Sequence, residues 1–148
     1  MTDVNGNFTF SNVGPGTYKV REVTQAGWLR TTTNPGDITT ASNTNVSGIN
    51  FGNYQYATIS GMKFNDLNGN GVQDETEPGL PGWTILLTKN SQSDGNTVTD
   101  STGHYSFTNL GPGTYTVNEQ TQSGWTQTYG DSGYTVTAMS GTDRKSDV

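Results

Sequence analysis

Residues 66–77 read Asp66-Leu67-Asn68-Gly69-Asn70-Gly71-Val72-Gln73-Asp74-Glu75-Thr76-Glu77. Acidic or amide side chains stand at the first, third, fifth, ninth and twelfth places and glycine at the sixth, the D-x-[DN]-x-[DN]-G-x5-E pattern of a calcium loop. Ca²⁺ is a hard cation that gathers about six to eight oxygens. Asp66, Asn68 and Asn70 can converge on one point, Gly71 permits the sharp turn, and Val72 offers its carbonyl. Asp74 can bind directly or through water, and Glu77 can close the site with both oxygens. Without a cation, Asp66, Asp74, Glu75 and Glu77 would repel one another within twelve residues.

The flanks set the context of this loop. Ile59 to Phe64 alternates as a strand does, and Pro78-Gly79-Leu80-Pro81-Gly82 forbids an exiting helix. The loop is therefore EF-hand-like but sits in a β protein, where an ion would pin a long connection. The helix opening of calcium sensors has no counterpart in such a setting.

Composition agrees. Thr (26), Gly (20) and Asn (15) dominate, with 28% hydrophobic and 14% charged residues, which excludes a coiled coil and favours strands joined by tight turns. Aromatics at 10% argue against disorder. A net charge of −6 without a basic patch is unsuited to nucleic acid. The longest apolar run, Ile85-Leu86-Leu87, is far short of a membrane helix, so no membrane insertion is expected. Cysteine is absent, and no secretory signal begins at Met1. Alternation predicts strands near 57–64, 82–88, 95–100, 104–108, 113–120, 133–139 and 144–148, hence a β-sandwich. Asp94 in Ser93-Asp94-Gly95-Asn96 reads as a hairpin turn.

The chain repeats itself. Residues 8–28 and 105–125, offset by 97, agree at 13 of 21 positions, including Trp28 with Trp125, Tyr18 with Tyr115 and Glu22 with Glu119. Residues 54–148 are then a nearly complete unit, and 1–53 the C-terminal half of a preceding one. The expectation is either a piece of a longer tandem array or a subunit whose half-unit another chain completes.

The remaining features are weaker. Asp100 and Asp3 precede matching Gly turns; Asp100 could complete a second ion site, but both read first as satisfied turn residues. His104, the single histidine, reads as a strand residue. Asn7 and Asn45 open glycosylation sequons. Trp28, Trp125 and Trp83 could stack on a carbohydrate or cap a core. No Ser-His-Asp or Cys-His set can be assembled, so an enzyme is not expected. Glu22 and Glu119 share faces with inward Tyr and Val, and an inward carboxylate must be paired, hydrogen-bonded or at a wet sheet end.

Three motifs in order carry a family resemblance: Ile59 to Asp74, Glu77-Pro78-Gly79-Leu80-Pro81-Gly82-Trp83, and Gly103 to Val117. Together they resemble the B-type repeat of serine-aspartate surface adhesins, the SdrD B-like domains. The resemblance covers about 57–148 as one repeat and 2–53 as the rear half of another. It implies a Cna B-like, prealbumin- or transthyretin-like β-sandwich that binds calcium and builds stiff extracellular stalks. The family's calcium loop carries over onto Asp66, Asn68, Asn70, Val72, Asp74 and Glu77. A related group, the collagen-adhesin B domains, forms Lys–Asn or Lys–Asp isopeptide bonds promoted by a strand glutamate, whose motif position Glu119 and Glu22 occupy. By motif Phe64 stands in the lysine's place and Lys63 is one residue away. A one-residue shift turns a side chain to the opposite face, so Lys63 is not expected to serve.

The expected function is a non-catalytic, calcium-binding structural module of an extracellular stalk, adhesin or self-assembling surface filament, at the cell surface or secreted. Its partners would be neighbouring repeats or identical subunits, through strand or sandwich packing, with a glycan or protein ligand open. The alternative is a carbohydrate-binding accessory module of a secreted protein.

Overall fold

The computed structural model describes residues 1–130 and 132–145, with backbone alone for Arg144 and Lys145. Its elements are strands: β1 Gly16–Tyr18, β2 Trp28–Arg30, β3 Ile38–Thr40, β4 Asn53–Gln55, β5 Ala57–Met62, β6 Thr84–Lys89, β7 Gln92–Val98, β8 His104–Leu110, β9 Gly113–Glu119, β10 Tyr134–Ala138 and β11 Asp143–Lys145. The chain divides into two compact units, Met1–Gln25 with Arg30–Asn53, and Ala26–Leu29 with the chain from Tyr54 on. Strand β2 pairs with β4.

In the second unit, β10-β9-β6-β7 form a four-stranded antiparallel sheet and β11-β5-β8 a three-stranded one, in which β11 runs parallel to β5. The two-residue period of a strand puts alternate side chains on one face. Thus Ala57, Ile59 and Gly61 are buried along β5, and Tyr115, Val117 and Glu119 along β9. Ile59, Ile85, Leu87, Tyr115 and Val117 are fully enclosed, each contributing roughly 1.5–3 kcal/mol of apolar burial. Tyr105, Phe107, Leu110, Trp83 and Val136 complete the core.

The hairpin between β6 and β7 departs from the sequence reading. Its turn is Asn90-Ser91, both at positive φ, which closes the Lys89–Gln92 pair. Asp94 instead lies inside β7, where the register slips between Leu87 and Thr88. Two residues with positive φ make the turn that matches strand twist; the Asp-Gly pair is used as a bulge.

The first unit holds one described ladder of its own, β1 with β3, in which Tyr18 pairs with Ile38. Its local geometry resembles that of β9 with β10, in which Tyr115 pairs with Val136. The Tyr18 hydroxyl donates to the Gly14 carbonyl at 3.0 Å, and Tyr115 donates to Gly111 at 3.0 Å.

Candidate metal centre

The loop at 66–77 hangs from a clamped stem. Phe64 bridges Gly79, Asn65 N–H donates to Pro78 O at 2.9 Å, and Leu80 N–H donates to Lys63 O at 2.8 Å. Lys63 N–H donates in turn to Gly103 O. This crossing is tight. A Cβ on Gly79 would lie 1.9 Å from Thr102 O, and one on Gly103, at φ +86°, would lie 2.4 Å from Lys63 O. Only glycines let the backbones cross here.

Inside the loop, Asp66 organises the backbone. Its Oδ1 accepts from Gly69 N at 2.7 Å and Asn70 N at 3.2 Å, and its Oδ2 accepts from Gly71 N at 2.8 Å. The Thr128 hydroxyl, followed by these N–H groups, holds the Asp66 carboxyl below its ordinary range, against an opposing push from desolvation. Gly71, at φ +74°, lies under the 128–129 segment; a Cβ there would sit 3.2 Å from Thr128 O. Asn68 Oδ1 accepts from Asn70 N, and Asn70 Oδ1 from Val72 N. Both amide groups donate to Asp74 Oδ2, at 2.7 and 3.1 Å. Glu77 is buried and folds back, its Oε1 accepting from Leu67 N at 2.9 Å and its Oε2 from Asp74 N at 3.1 Å.

The six residues singled out in the sequence thus occupy one closed loop. Asp74 is joined directly to Asn68, Asn70 and Glu77, while Asp66 holds Gly69 to Gly71. No three His, Cys, Asp or Glu side chains among the described residues gather about one point. The donor set is all oxygen, which fits a hard cation in kind. To ligate one, the carboxylates must draw together and the Asn68 and Asn70 amides must turn their oxygens inward. Contact with Thr128 is a feature the sequence reading missed, and nothing in its spacing signals it.

A second buried polar site corrects the sequence expectation for Lys63. Its Nζ lies 2.6 Å from Glu119 Oε2, off the angles of a well-formed hydrogen bond, with both side chains buried. The ammonium also sits 4.8 Å from the centroid of the Trp83 ring. The reason is register: the inward series Ala57, Ile59, Gly61 runs on by twos to Lys63. Phe64 is buried as well, but at the bridge to Gly79. Counting by two from Ile59 finds this pair, whereas counting back from the loop misses it.

Trp83 lies in the core and packs edge-on to Trp125 with centroids 5.3 Å apart, so it offers no stacking face for a glycan. Trp28 and Trp125 remain partly exposed.

These observations define the class: an all-β sandwich domain with a long clamped loop. The profile of the SdrD B-like domain matches residues 57–148. The chain belongs to that family, whose members act outside the cell, on its surface or secreted. Among curated proteins it is 32% identical over 152 residues to serine-aspartate repeat-containing protein F of Staphylococcus epidermidis. It is 37% identical over 146 residues to serine-aspartate repeat-containing protein D of Staphylococcus aureus strain Newman. These matches take in 94% and 89% of this chain but only 9% and 11% of those proteins. Among solved structures, the Bacillus anthracis TIE protein shares the fold, with a TM-score of 0.51 and 21% identity over 99% of this chain and 27% of that one. No helix among the described residues is long and apolar enough to cross a membrane.

Proposed function

We propose that the chain is a non-catalytic spacer of a surface adhesin, in which calcium bound at 66–77 stiffens a tandem B-type repeat. Residues 54–148 form the repeat that carries the loop, and residues 1–53 are the rear half of another. The observation that carries this reading is the loop itself: twelve residues with oxygen donors at calcium spacing, hung from a stem that the Gly79–Gly103 crossing ties to the core. A cation drawing Asp66, Asp74 and Glu77 together would convert a solvent-facing loop into a rigid strut between β5 and β6. Extracellular modules work with weak calcium sites because the ion is plentiful there. Neighbouring repeats are the partners this role requires. Calcium titration followed by isothermal calorimetry tests it, with Asp66→Ala and Glu77→Ala abolishing the heat; an unchanged heat in both variants overturns it.

A further inference from the structure

Three asparagines in this chain precede a glycine: Asn5-Gly6, Asn68-Gly69 and Asn70-Gly71. Such a step carries its own chemistry. The glycine nitrogen loses its proton and attacks Cγ of the asparagine. The Cγ–Nδ2 bond then breaks, and Nδ2 leaves as ammonia with that proton. The succinimide ring so formed takes up one water at either carbonyl, giving aspartate or its β-linked isomer. Glycine favours the attack because no Cβ hinders it. No oxidant, metal or enzyme is needed. All three asparagines are exposed, so access to water does not separate them.

Their hydrogen bonds do. Gly69 N donates to Asp66 Oδ1 at 2.7 Å, and Gly71 N donates to Asp66 Oδ2 at 2.8 Å. Each attacking nitrogen thus gives its proton to a carboxylate oxygen, and an amide anion formed there would face a full negative charge. The side chains under attack are tied as well. Asn68 Oδ1 accepts from Asn70 N and Asn70 Oδ1 from Val72 N, while both Nδ2 groups donate to Asp74 Oδ2. Gly6 N, by contrast, donates to the neutral carbonyl of Asp3 at 3.0 Å. The Asn5 carboxamide makes no hydrogen bond among the described residues.

We propose that Asn68-Gly69 and Asn70-Gly71 are latent deamidation sites that Asp66 keeps closed, and that Asn5-Gly6 is the step that converts first. The loop is what the guard preserves. A converted Asn68 or Asn70 sets a new carboxylate against Asp74 Oδ2 in place of a donating amide, with Asp66, Glu75 and Glu77 close in the same stretch. The β-linked product also lengthens the backbone inside a closely bonded turn. Conversion at one step therefore loosens the bonds that restrain the other, and the second follows faster than the first. The inference uses only bonds within this chain and does not rest on the calcium reading.

The test is ageing of the whole chain in warm, mildly alkaline buffer with excess chelator, followed by peptide mass spectrometry. Cleavage after Lys19, Lys63 and Lys89 puts Asn5 in one peptide and Asn68 with Asn70 in another, and fragmentation separates the last two. Asn5 should convert about tenfold or more faster than Asn68 or Asn70, which react only when the loop opens. In strong urea the three rates should converge. Asp66→Ala should raise conversion at Asn68 and Asn70 by about tenfold or more and leave Asn5 unchanged. Asp66→Asn keeps an acceptor oxygen without the charge and should show part of that rise. Glu77→Ala is the control for loop order, because Glu77 holds Leu67 N and Asp74 N but neither glycine; it should raise the rates far less. Four results overturn the proposal: Asn68 or Asn70 converting as fast as Asn5 in the folded parent; rates that stay apart in urea; both Asp66 variants without effect; or Glu77→Ala matching Asp66→Ala, which assigns the protection to loop order alone. Calcium calorimetry on the fresh chain is read separately, so failure of the ion reading and of this one are distinguishable.

Discussion

Substituting Lys63 should be among the most destabilising single changes available in this protein. The Lys63→Met variant leaves the Glu119 carboxylate enclosed without its only ion-pair partner among the described residues, and it removes the ammonium 4.8 Å from the Trp83 ring centroid. Breaking a buried ion pair from one side costs about 3–5 kcal/mol, because the orphaned charge keeps its desolvation penalty. With a urea m-value of about 2 kcal/mol/M, the unfolding midpoint should fall by about 2 M. Glu119→Leu alone strands the lysine and should cost a similar amount. The double variant replaces both charges by apolar groups and should recover most of the loss, since a well-packed apolar pair often matches a buried ion pair. The assay is urea unfolding followed by tryptophan fluorescence, with the four proteins forming a double-mutant cycle. A Lys63→Met variant within about 1 kcal/mol of the parent, with no coupling in the cycle, would refute the ion-pair argument. Intact mass is a companion check. The pair as an ion pair leaves the sequence mass unchanged, whereas loss of one water or one ammonia would reveal a crosslink.

Further predictions concern the stem, the turn tyrosines and acid. Gly103→Ala puts a Cβ 2.4 Å from Lys63 O at φ +86°, and thermal melting should show a loss of at least about 2 kcal/mol with the 66–77 loop no longer clamped. Tyr115→Phe removes the donor to Gly111 O in a buried setting and should cost about 0.5–1.5 kcal/mol; Tyr18→Phe, exposed, should cost less, and equal losses in urea melts would contradict the difference in burial. Asp100 is held below the ordinary 3.8 by the Thr102 hydroxyl, then by the Thr102 and His104 N–H groups. A depressed folded-state pKa contributes stability above 3.8 that is lost as pH falls through the folded value, so Asp100→Asn should flatten the acid limb of a melting-against-pH curve without changing its slope near neutrality.

Much of the fold was legible because strands report themselves by twos. Ile59 through Gly61, Tyr105 with Phe107, and Tyr115 with Val117 all alternate as they pack, and the expected strand ends lie within two residues of the structure's except at the start of β7, three residues earlier, and at 146–148, which lie outside the described residues. The hairpin was misplaced because Asn90-Ser91 carries no glycine, while Asp94-Gly95 resembles a turn and serves as a bulge. Strands β1 to β4 went unseen because each is three residues long, below the length at which alternation stands out. That residues 66–77 form one closed loop was legible, since its oxygen-bearing residues and glycines are local in sequence. The Lys63–Glu119 pair joins residues 56 positions apart, and a one-residue choice of register decided it. Thr128, packed over the loop from a segment without periodicity, left no mark that a sequence reading could use.

The account turns on whether residues 66–77 hold a cation. The direct measurement is thermal melting of the whole chain in about 10 mM calcium and again in excess chelator. For a site with a dissociation constant of about 0.1 mM, occupancy contributes about 2.7 kcal/mol. That corresponds to a rise of about 10 °C or more in the melting temperature of a unit this size. The account predicts that rise, and its loss in Asp66→Ala. Coincident melts with and without calcium would contradict it.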